Sequence, residues 1–351
     1  MPAKRLRVQM ETFVPSMFEK EKKMNKKKLL AVLLVLAMVF SFAACGKKGN
    51  GEQEKEDDGI NLQILYEADD AMINTYTIMA VNPKAPFVDA DGKAVSDVKL
   101  NTVGAEALLN WMLSEEGTKA ASEYGFADYG EYLFYLKDDR PVSTATIPAA
   151  TEETKVIRLS TTTSVKDSGL LAYLLPMFEQ KYGYSVEVAS AGTGKAIAAA
   201  KAGNADVILV HAKAQEEAFV ADGFSYVVEG LKSERNSFMY NYFVLCGPKE
   251  DPAKVKDAAT VKGAFKAIAD GKFQFVSRGD NSGTHTKEIS LWEESLGITT
   301  DSTSVEQYKD WYTYSNAGMG ACLKMALEKG AYILSDKATF LTFYKNGGLT
   351  Q

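Results

Sequence analysis

From Lys155 onward, short apolar runs alternate with segments whose apolar residues recur every three or four positions. The runs at 156–164, 185–194, 205–212 and 273–280 predict strands, because each is short and passes into a polar turn or a helical pattern. The segments between them predict amphipathic helices. Strands that alternate with helices are typical of an α/β fold with parallel strands.

The segment after the first polar turn, 168–183, carries its apolar residues on one helical face. Asp167 or Ser168 is positioned to cap this helix, because either side chain can accept a hydrogen bond from the first backbone N–H groups. Pro176 lies inside the pattern and predicts a kink, since proline removes one backbone hydrogen bond. The sequence therefore predicts a capped and bent helix here.

A longer apolar run, 237–248, ends in Gly-Pro and is long enough to pass between two lobes. A helix is predicted over 282–297, where the apolar residues recur at helical spacing. Its apolar face consists of Ile289, Trp292 and Leu296. We expect Trp292 and Trp311 to serve in core or hinge packing, and 320–336 to add a helix and a strand.

Three predicted strands end in turns that open a helix: TTTSVKDSG, SAGTGK and SRGDNSGT. Each turn is rich in Ser, Thr and Gly. Helix N-termini present free N–H groups and the positive end of the helix dipole, and hydroxyls add neutral donors. In open α/β sheets such turns converge at the carboxyl ends of the strands. We therefore expect a site for a small oxyanion, although one such turn alone is also typical of a simple N-capped helix.

The composition limits the classes of partner. The chain has 351 residues, 46% of them hydrophobic, which favours two domains of modest size. Its formal net charge is −6, whereas a nucleic-acid binder normally shows a basic face, so we expect no nucleic-acid partner. A bound anion would therefore be held by local groups and not by the field of the whole molecule.

The beginning of the chain predicts export. From Met24, three lysines precede an apolar run that ends in small residues before a cysteine, so 24–44 is predicted to be a lipoprotein signal peptide. We expect Cys45 to be lipidated after cleavage, with a single-span anchor as the alternative. Residues 1–23 are interpreted as an over-called start. The polar segment 45–59 is predicted to be a disordered tether.

Few side chains could support catalysis, redox or metal chemistry. Cys246 and Cys322 lie in apolar patterns and are predicted to be buried free thiols. The chain has two histidines and neither a metal-ligand cluster nor a G-x-S-x-G motif, so we expect no cofactor and no enzymatic activity. The remote alternative is a secreted hydrolase with Ser282 or Ser168 as nucleophile and His285 as base.

An ordered run of motifs extends over roughly 156–346: TTTS-x-x-DSGLL, GTG, ADVILVH, MYNYFVLCGPKEDP, SRGDNSGTH-x-x-E, and GMG with AYILSD. This run resembles the tungstate-binding proteins of tungstate ABC transporters, within the wider phosphate-binding-protein-like group. The resemblance implies an α/β, type II periplasmic-binding-protein fold whose two lobes close on tungstate or molybdate. It also implies delivery of the oxyanion to permease and ATPase subunits. Together with the predicted lipid on Cys45, we expect a monomer anchored to the outer face of the membrane.

The order of the segments departs from the family. LQILYEADDAMINTYTIMAVNP and ALLNWMLSEEGTKAASEYGFADYGEYLF resemble the segment that ends the family's chain, but here they come first. We predict a circular permutation, which requires strand 75–83 to lie in the same sheet as strand 156–161. The rival is a truncated or fused fragment. The predicted parts are lobe 1 from 75–140 and 155–245, lobe 2 from 60–74 and 246–351, and a linker at 141–154 that joins the family's usual termini.

The resemblance also implies a set of ligands and a set of supporting residues. The implied ligands are Thr162, Thr163, Ser164, Gly194, Arg278, Ser282, Gly283 and Thr284. The implied supporting residues are Ser168, Asp280, His285 and His211. Within the second turn, Gly192 to Gly194, only backbone groups are expected to contribute.

One basic and one acidic residue, Arg278 and Asp280, are expected to determine which anion binds. The planar guanidinium of Arg278 can donate hydrogen bonds to two oxygens in a bidentate arrangement, which a lysine ammonium cannot form. Asp280 is expected to orient Arg278, because a carboxylate in contact with a bare dianion would repel it but could accept the proton of hydrogen phosphate. A phosphate or sulfate receptor therefore stays the alternative within the class, and a sensor or adhesin without a transporter is a further one.

Overall fold

The computed structural model describes residues 61–349, and all statements on structure refer to these residues. Residues 1–23, the predicted signal peptide, Cys45 and the whole of the predicted tether lie outside them. Within the described part, no helix combines the length and the apolar character that crossing a membrane would require.

Ten strands lie within the described residues, eight in one sheet and two in a second. They are β1 (Leu62–Tyr66), β2 (Ile73–Ala80), β3 (Tyr135–Leu136), β4 (Val156–Thr162), β5 (Ser185–Ala191), β6 (Val207–Val210), β7 (Asn236–Pro248), β8 (Phe275–Ser277), β9 (Tyr312–Tyr314) and β10 (Ile333–Asp336). The larger sheet has the order β1-β7-β2-β6-β4-β5, with β3 and β10 also paired to β7. The smaller sheet joins β8 and β9 in parallel.

Eleven α-helices connect these strands in the described part. They are α1 (Thr102–Met112), α2 (Glu115–Glu123), α3 (Phe126–Tyr129), α4 (Thr163–Asp167), α5 (Leu170–Tyr182), α6 (Thr193–Lys201), α7 (Lys213–Ala221), α8 (Val261–Gly271), α9 (Gly283–Leu291), α10 (Met319–Lys329) and α11 (Lys337–Lys345). Strands β4, β5 and β6 are parallel to one another, as the alternating pattern predicted.

Strand β7 passes between two groups of buried clusters. Phe238 and Met239 pack with residues of α1, α5 and β4 on one side. Phe243 and Leu245, further along the strand, pack with residues of α8, β8 and β9 on the other. We call the part around β4, β5 and β6 the first lobe and the part around β8, β9 and β10 the second lobe.

Strand β2 lies beside strands that are distant in sequence. It runs antiparallel to β6, with Ile78 opposite Leu209, and β6 in turn pairs with β4. On its other edge β2 pairs with β7. Strands β2 and β4 thus belong to one sheet, which is the arrangement that a circular permutation requires. The permutation itself stays a prediction.

Two helix predictions were wrong in detail. Helix α9 ends at Leu291, and Trp292 leaves it with extended backbone, ψ 154°. The indole is drawn into the second lobe's core, with its ring centroid 4.6 Å from that of Phe265 and 4.9 Å from that of Phe275. Aromatic packing of this kind outweighs the continuation of a helix. Leu296 belongs to a separate short 3₁₀ turn.

The predicted cap of α5 was also wrong, since the N-cap residue is Gly169, which has no side chain. Asp167 instead ends α4, and the chain turns between the two helices through Gly169 at φ 81°. That conformation favours glycine, and a Cβ there would lie 2.4 Å from Tyr124 Oη. Ser168 Oγ donates to Val165 O at 2.8 Å and accepts from Leu170 N at 3.3 Å.

Other expectations on packing are confirmed. Cys246 and Cys322 are free and buried. Trp292 and Trp311 are both 4% exposed and belong to one apolar cluster of the second lobe. Residues 141–154 contain neither helix nor strand, and their role as a linker that joins the family's usual termini stays a prediction.

Candidate functional site

The site lies where three turns meet at the starts of α4, α6 and α9. Thr162 is the N-cap of α4, Gly192 that of α6, and Ser282 that of α9. The first two turns follow the parallel strands β4 and β5, and the third follows β8 in the second lobe. The predicted convergence of the three turns is thereby observed.

Close contacts join the turns across the two lobes. A Cβ on Gly192 would lie 3.3 Å from the backbone O of Asp280. A Cβ on Gly283 would lie 2.6 Å from Nδ1 and Cε1 of His211 and 3.1 Å from its backbone O. Any side chain at Gly283 would therefore push the lobes apart.

Arg278 bridges the lobes at the centre of these turns. Its side chain is only 2% exposed. One terminal nitrogen, Nη2, donates to Asp280 Oδ2 at 2.5 Å and to Thr163 Oγ1 at 3.1 Å. The other, Nη1, lies 3.4 Å from Ser164 Oγ. The guanidinium thus contacts the first turn and is bonded to Asp280.

The start of α9 directs several donors into the same region. Ser282 Oγ accepts from His285 N at 3.2 Å, and Ser282 N donates to Asp280 Oδ1 at 3.2 Å. The backbone N–H groups of Gly283 and Thr284 follow the cap, where a helix provides no internal acceptor. Their direction and the helix dipole favour an anion in front of this terminus.

Two of the buried hydroxyls that find no hydrogen-bond partner among the described residues lie at these helix starts. They are Oγ1 of Thr193, the first residue of α6, and Oγ1 of Thr284, in the first turn of α9. Both residues are at most 1% exposed. Burying a hydroxyl without a partner costs free energy, so unpaired groups at two facing helix starts indicate a binding site. Thr193 was missed by sequence reasoning, which expected only backbone groups from this turn.

The remaining predicted residues lie close by with other contacts. Gly194 follows Thr193 in the first turn of α6 and is exposed. Thr162 Oγ1 lies 3.2 Å from Val165 N, which donates to it, and 3.0 Å from His211 Nε2. Ser168 is fully buried and bonded within its own turn.

The two histidines are both buried. Burial, followed by the nearby Arg278 charge, lowers the pKa of His211 to about 3, so its ring is neutral. Burial also lowers the pKa of His285, whose Nδ1 accepts from Asn281 N at 3.1 Å. Within the described contacts, neither Ser282 nor Ser168 places its hydroxyl on the His285 ring, so no nucleophile and base pair forms.

A cleft of about 1040 Å³ adjoins the turns and shares His211 and Gly283 with them. We call it the basic cleft. Its charged lining residues are Lys137, Asp139, Arg140, Lys213, Lys232, Arg235 and Lys287. No cluster of His, Cys, Asp or Glu suited to a metal ion occurs between residues 61 and 349.

Two lobes are joined by shared strands, and helix starts, hydroxyls and one guanidinium lie between them, which makes this region a candidate site for a small anion. The chain belongs to the PBP superfamily domain family, whose model matches residues 148–350. The predicted α/β fold of the type II periplasmic binding proteins is thereby confirmed.

The chain is similar to two curated tungstate-binding proteins named TupA. It shares 48% identity over 195 residues with that of Peptoclostridium acidaminophilum, covering 55% of this chain and 63% of the relative. It shares 34% identity over 183 residues with that of Campylobacter jejuni, covering 52% of this chain and 62% of the relative. The chain therefore spans about three fifths of the length of these relatives.

One solved structure, of the tungstate ABC transporter from Geobacter sulfurreducens, is similar at 43% sequence identity. The match covers 54% of this chain and 75% of that chain, with a TM-score of 0.46. A second, the tungstate-binding protein TupA from Desulfovibrio alaskensis, is 38% identical over 54% of this chain and 71% of that chain, with a TM-score of 0.42.

Proposed function

We propose that this protein is an extracytoplasmic receptor that captures a tetrahedral oxyanion, tungstate or molybdate, between its lobes and delivers it to an ABC transporter. The observation that carries the proposal is the pair of buried, unpartnered hydroxyls of Thr193 and Thr284 beside the Arg278 guanidinium. The tungstate-binding relatives support the choice of anion.

The donors suit a fully ionised dianion. Such an ion needs hydrogen-bond donors and no acceptors, and neutral donors fixed in a desolvated site provide them without adding mobile charge. The proposed ligands are the hydroxyls of Thr163, Ser164, Thr193, Ser282 and Thr284, the guanidinium of Arg278, and the backbone N–H groups of Gly194, Gly283 and Thr284. To the predicted set we add Thr193. We assign Thr162 a supporting role, because its hydroxyl is already bonded twice.

Asp280 favours an anion without protons over hydrogen phosphate. One of its carboxylate oxygens accepts from Arg278 and the other from Ser282 N. A carboxylate engaged in this way orients the guanidinium and offers little to the proton of hydrogen phosphate. A phosphate or sulfate receptor is the second candidate, and phosphate recognition would need Asp280 to turn toward the anion.

Calorimetric titration tests the proposal. A soluble form that begins near Gly51 is titrated with tungstate, molybdate, sulfate and phosphate, beside Arg278→Ala. We expect about one tungstate per chain and loss of binding in the variant. Tighter binding of phosphate would support the second candidate, and binding of none of the four anions would contradict the receptor assignment.

The chain order and the anchoring are part of the same proposal. A permuted chain would align with its relatives over one segment only, in agreement with the 55% of this chain that the first relative covers. We further propose a monomer tethered through lipid on Cys45. Metabolic labelling with a fatty acid tests the anchor, since Cys45→Ala should abolish the label. Sedimentation of the soluble form tests the monomer, and a stable dimer would contradict it.

A further inference from the structure

A buried polar network joins the strands that connect the lobes. Its centre is Asp336, fully buried at the end of β10, whose Oδ1 caps α11 by accepting from Thr339 N at 3.1 Å. Its Oδ2 accepts from Tyr76 Oη and from Asn241 Nδ2, both at 2.7 Å. No cation contacts this carboxylate among the described residues, so these donors stabilise it.

The carboxylate fixes the orientation of a neighbouring amide. One end of the side-chain amide of Asn74, on β2, lies 3.2 Å from Asp336 Oδ2 and 3.0 Å from Asn241 Oδ1. Both of these oxygens accept hydrogen bonds, so the end that faces them must be the NH₂ group. The carbonyl end, Oδ1, therefore faces His211 Nδ1 at 2.8 Å.

The amide orientation in turn decides which nitrogen of His211 carries the proton. A neutral imidazole has one N–H, and the Asn74 carbonyl can only accept, so the proton lies on Nδ1. Nε2 is then an acceptor, 3.0 Å from Thr162 Oγ1. Because Nε2 carries no proton in this tautomer, the Thr162 hydroxyl donates to it, while the hydroxyl oxygen accepts from Val165 N.

We propose that Asp336 and Asn74 are positioning residues of the oxyanion site, which hold His211 as the Nδ1–H tautomer. The tautomer commits the Thr162 hydroxyl to His211, so Thr162 anchors the first turn and the next two hydroxyls face the anion. The oxyanion in this inference rests on the proposed function, whereas the tautomer of His211 does not depend on it.

The arrangement has a physical purpose in a site for a dianion. A histidine lone pair directed at the bound oxyanion would repel it, and the Thr162 hydroxyl covers that lone pair. The network also ties the first turn to β2 and β7, the strands that run between the lobes. The position of the turn is thereby coupled to the strands that connect the lobes.

The other histidine provides an internal control. His285 Nδ1 accepts from the backbone N–H of Asn281, so its proton lies on Nε2. The two histidines of the chain are thus expected in opposite tautomers. Two rings give a nitrogen NMR spectrum in which each tautomer can be assigned separately.

The test is nitrogen NMR of ¹⁵N-histidine-labelled protein, with and without tungstate, for wild type and Asp336→Asn. In wild type we expect His211 as Nδ1–H and His285 as Nε2–H. In Asp336→Asn, a near-isosteric change, the new amide can donate or accept and no longer fixes Asn74. His211 should then shift toward Nε2–H while His285 stays unchanged, and the tungstate dissociation constant should rise about tenfold.

Asn74→Leu is the second variant and removes the acceptor of Nδ1 directly. Wild-type His211 found as Nε2–H would overturn the inference, and so would an unchanged His211 tautomer in both variants. The wild-type spectrum needs no substitution and therefore decides the point even if the variants fold poorly. If wild type binds no oxyanion, the proposed function fails, but the tautomers are still read from the same spectrum.

Discussion

The three turns at the starts of α4, α6 and α9 and the basic cleft lie side by side, share His211 and Gly283, and offer an anion different kinds of groups. Between the turns, one buried guanidinium works with neutral hydroxyls and helix starts. The cleft is lined by six cationic side chains and one carboxylate. The turns thus combine few charged groups with burial, whereas the basic cleft combines many charged groups with exposure to solvent.

From this difference we expect that the number of cations does not decide where an anion binds tightly. Lys213 and Lys232 are exposed, and water and salt screen such charges. Arg235 already pairs with buried Glu216 at 2.6 Å. Fixed donors in a desolvated site need no reorganisation when the anion arrives, so each contributes more. We therefore expect affinity to depend on the turns, and the cleft to affect mainly the rate of association.

The largest effect is expected for Arg278→Lys, matched with Arg140→Lys in the basic cleft. A lysine keeps the charge but cannot hold Asp280, Thr163 and an oxyanion at once. Tungstate affinity should fall about a hundredfold in the first variant and less than twofold in the second. Calorimetry measures the tungstate affinity of both variants, and equal losses would contradict the expected difference between the turns and the basic cleft.

The next largest effect concerns the contact between the lobes. In Gly283→Ala the new Cβ would lie 2.6 Å from the His211 ring, and the ring is held by its bonds to Asn74 and Thr162. Closure should be impaired and tungstate affinity should fall about thirtyfold.

Gly194→Ala is the matched control for that change, because its Cβ would meet only Gln215 Oε1, at 3.6 Å. It should bind nearly as tightly as wild type. Small-angle scattering with tungstate should show compaction in the control and less of it in Gly283→Ala. Full compaction of Gly283→Ala would rule out the proposed obstruction.

A smaller effect is expected for Thr284→Val, which removes a buried, unpartnered hydroxyl with little change of shape. We predict about a tenfold loss of tungstate affinity, the value of one good hydrogen bond to a charged group. The control is Thr286→Val, two residues along the same helix, where the side chain is exposed and lines the cleft. An unchanged dissociation constant in Thr284→Val would remove this hydroxyl from the ligand set.

The smallest effect is expected for the cleft itself. The double variant Lys213→Gln and Lys232→Gln should slow tungstate association about threefold at low salt, with little change in dissociation rate. The control pair, Lys262→Gln and Lys309→Gln, makes the same change of charge at exposed positions away from the cleft. Stopped-flow measurements at two salt concentrations separate them, and identical rates would show that the cleft does not steer the anion.

The sequence predicted the parts of the site better than their connections. The three polar turns and the helices behind them follow from local signals, namely Ser, Thr and Gly after an apolar strand. Thr193 carries such a signal too, because a hydroxyl at the first position of a helix can face the ligand. The early end of α9 could not be predicted, since Trp292 leaves the helix to reach rings that are distant in sequence.

The sequence by itself determined the alternation of strands and helices, the capped turns and the residue types of a dianion site, because these depend on neighbours a few positions apart. Only the tertiary structure decided that Arg278 meets Thr163, 115 residues away, that β2 lies between β6 and β7, and that the two histidines carry their protons on different nitrogens. Each of these depends on groups brought together from distant segments. No local pattern encodes which donors and acceptors will meet there.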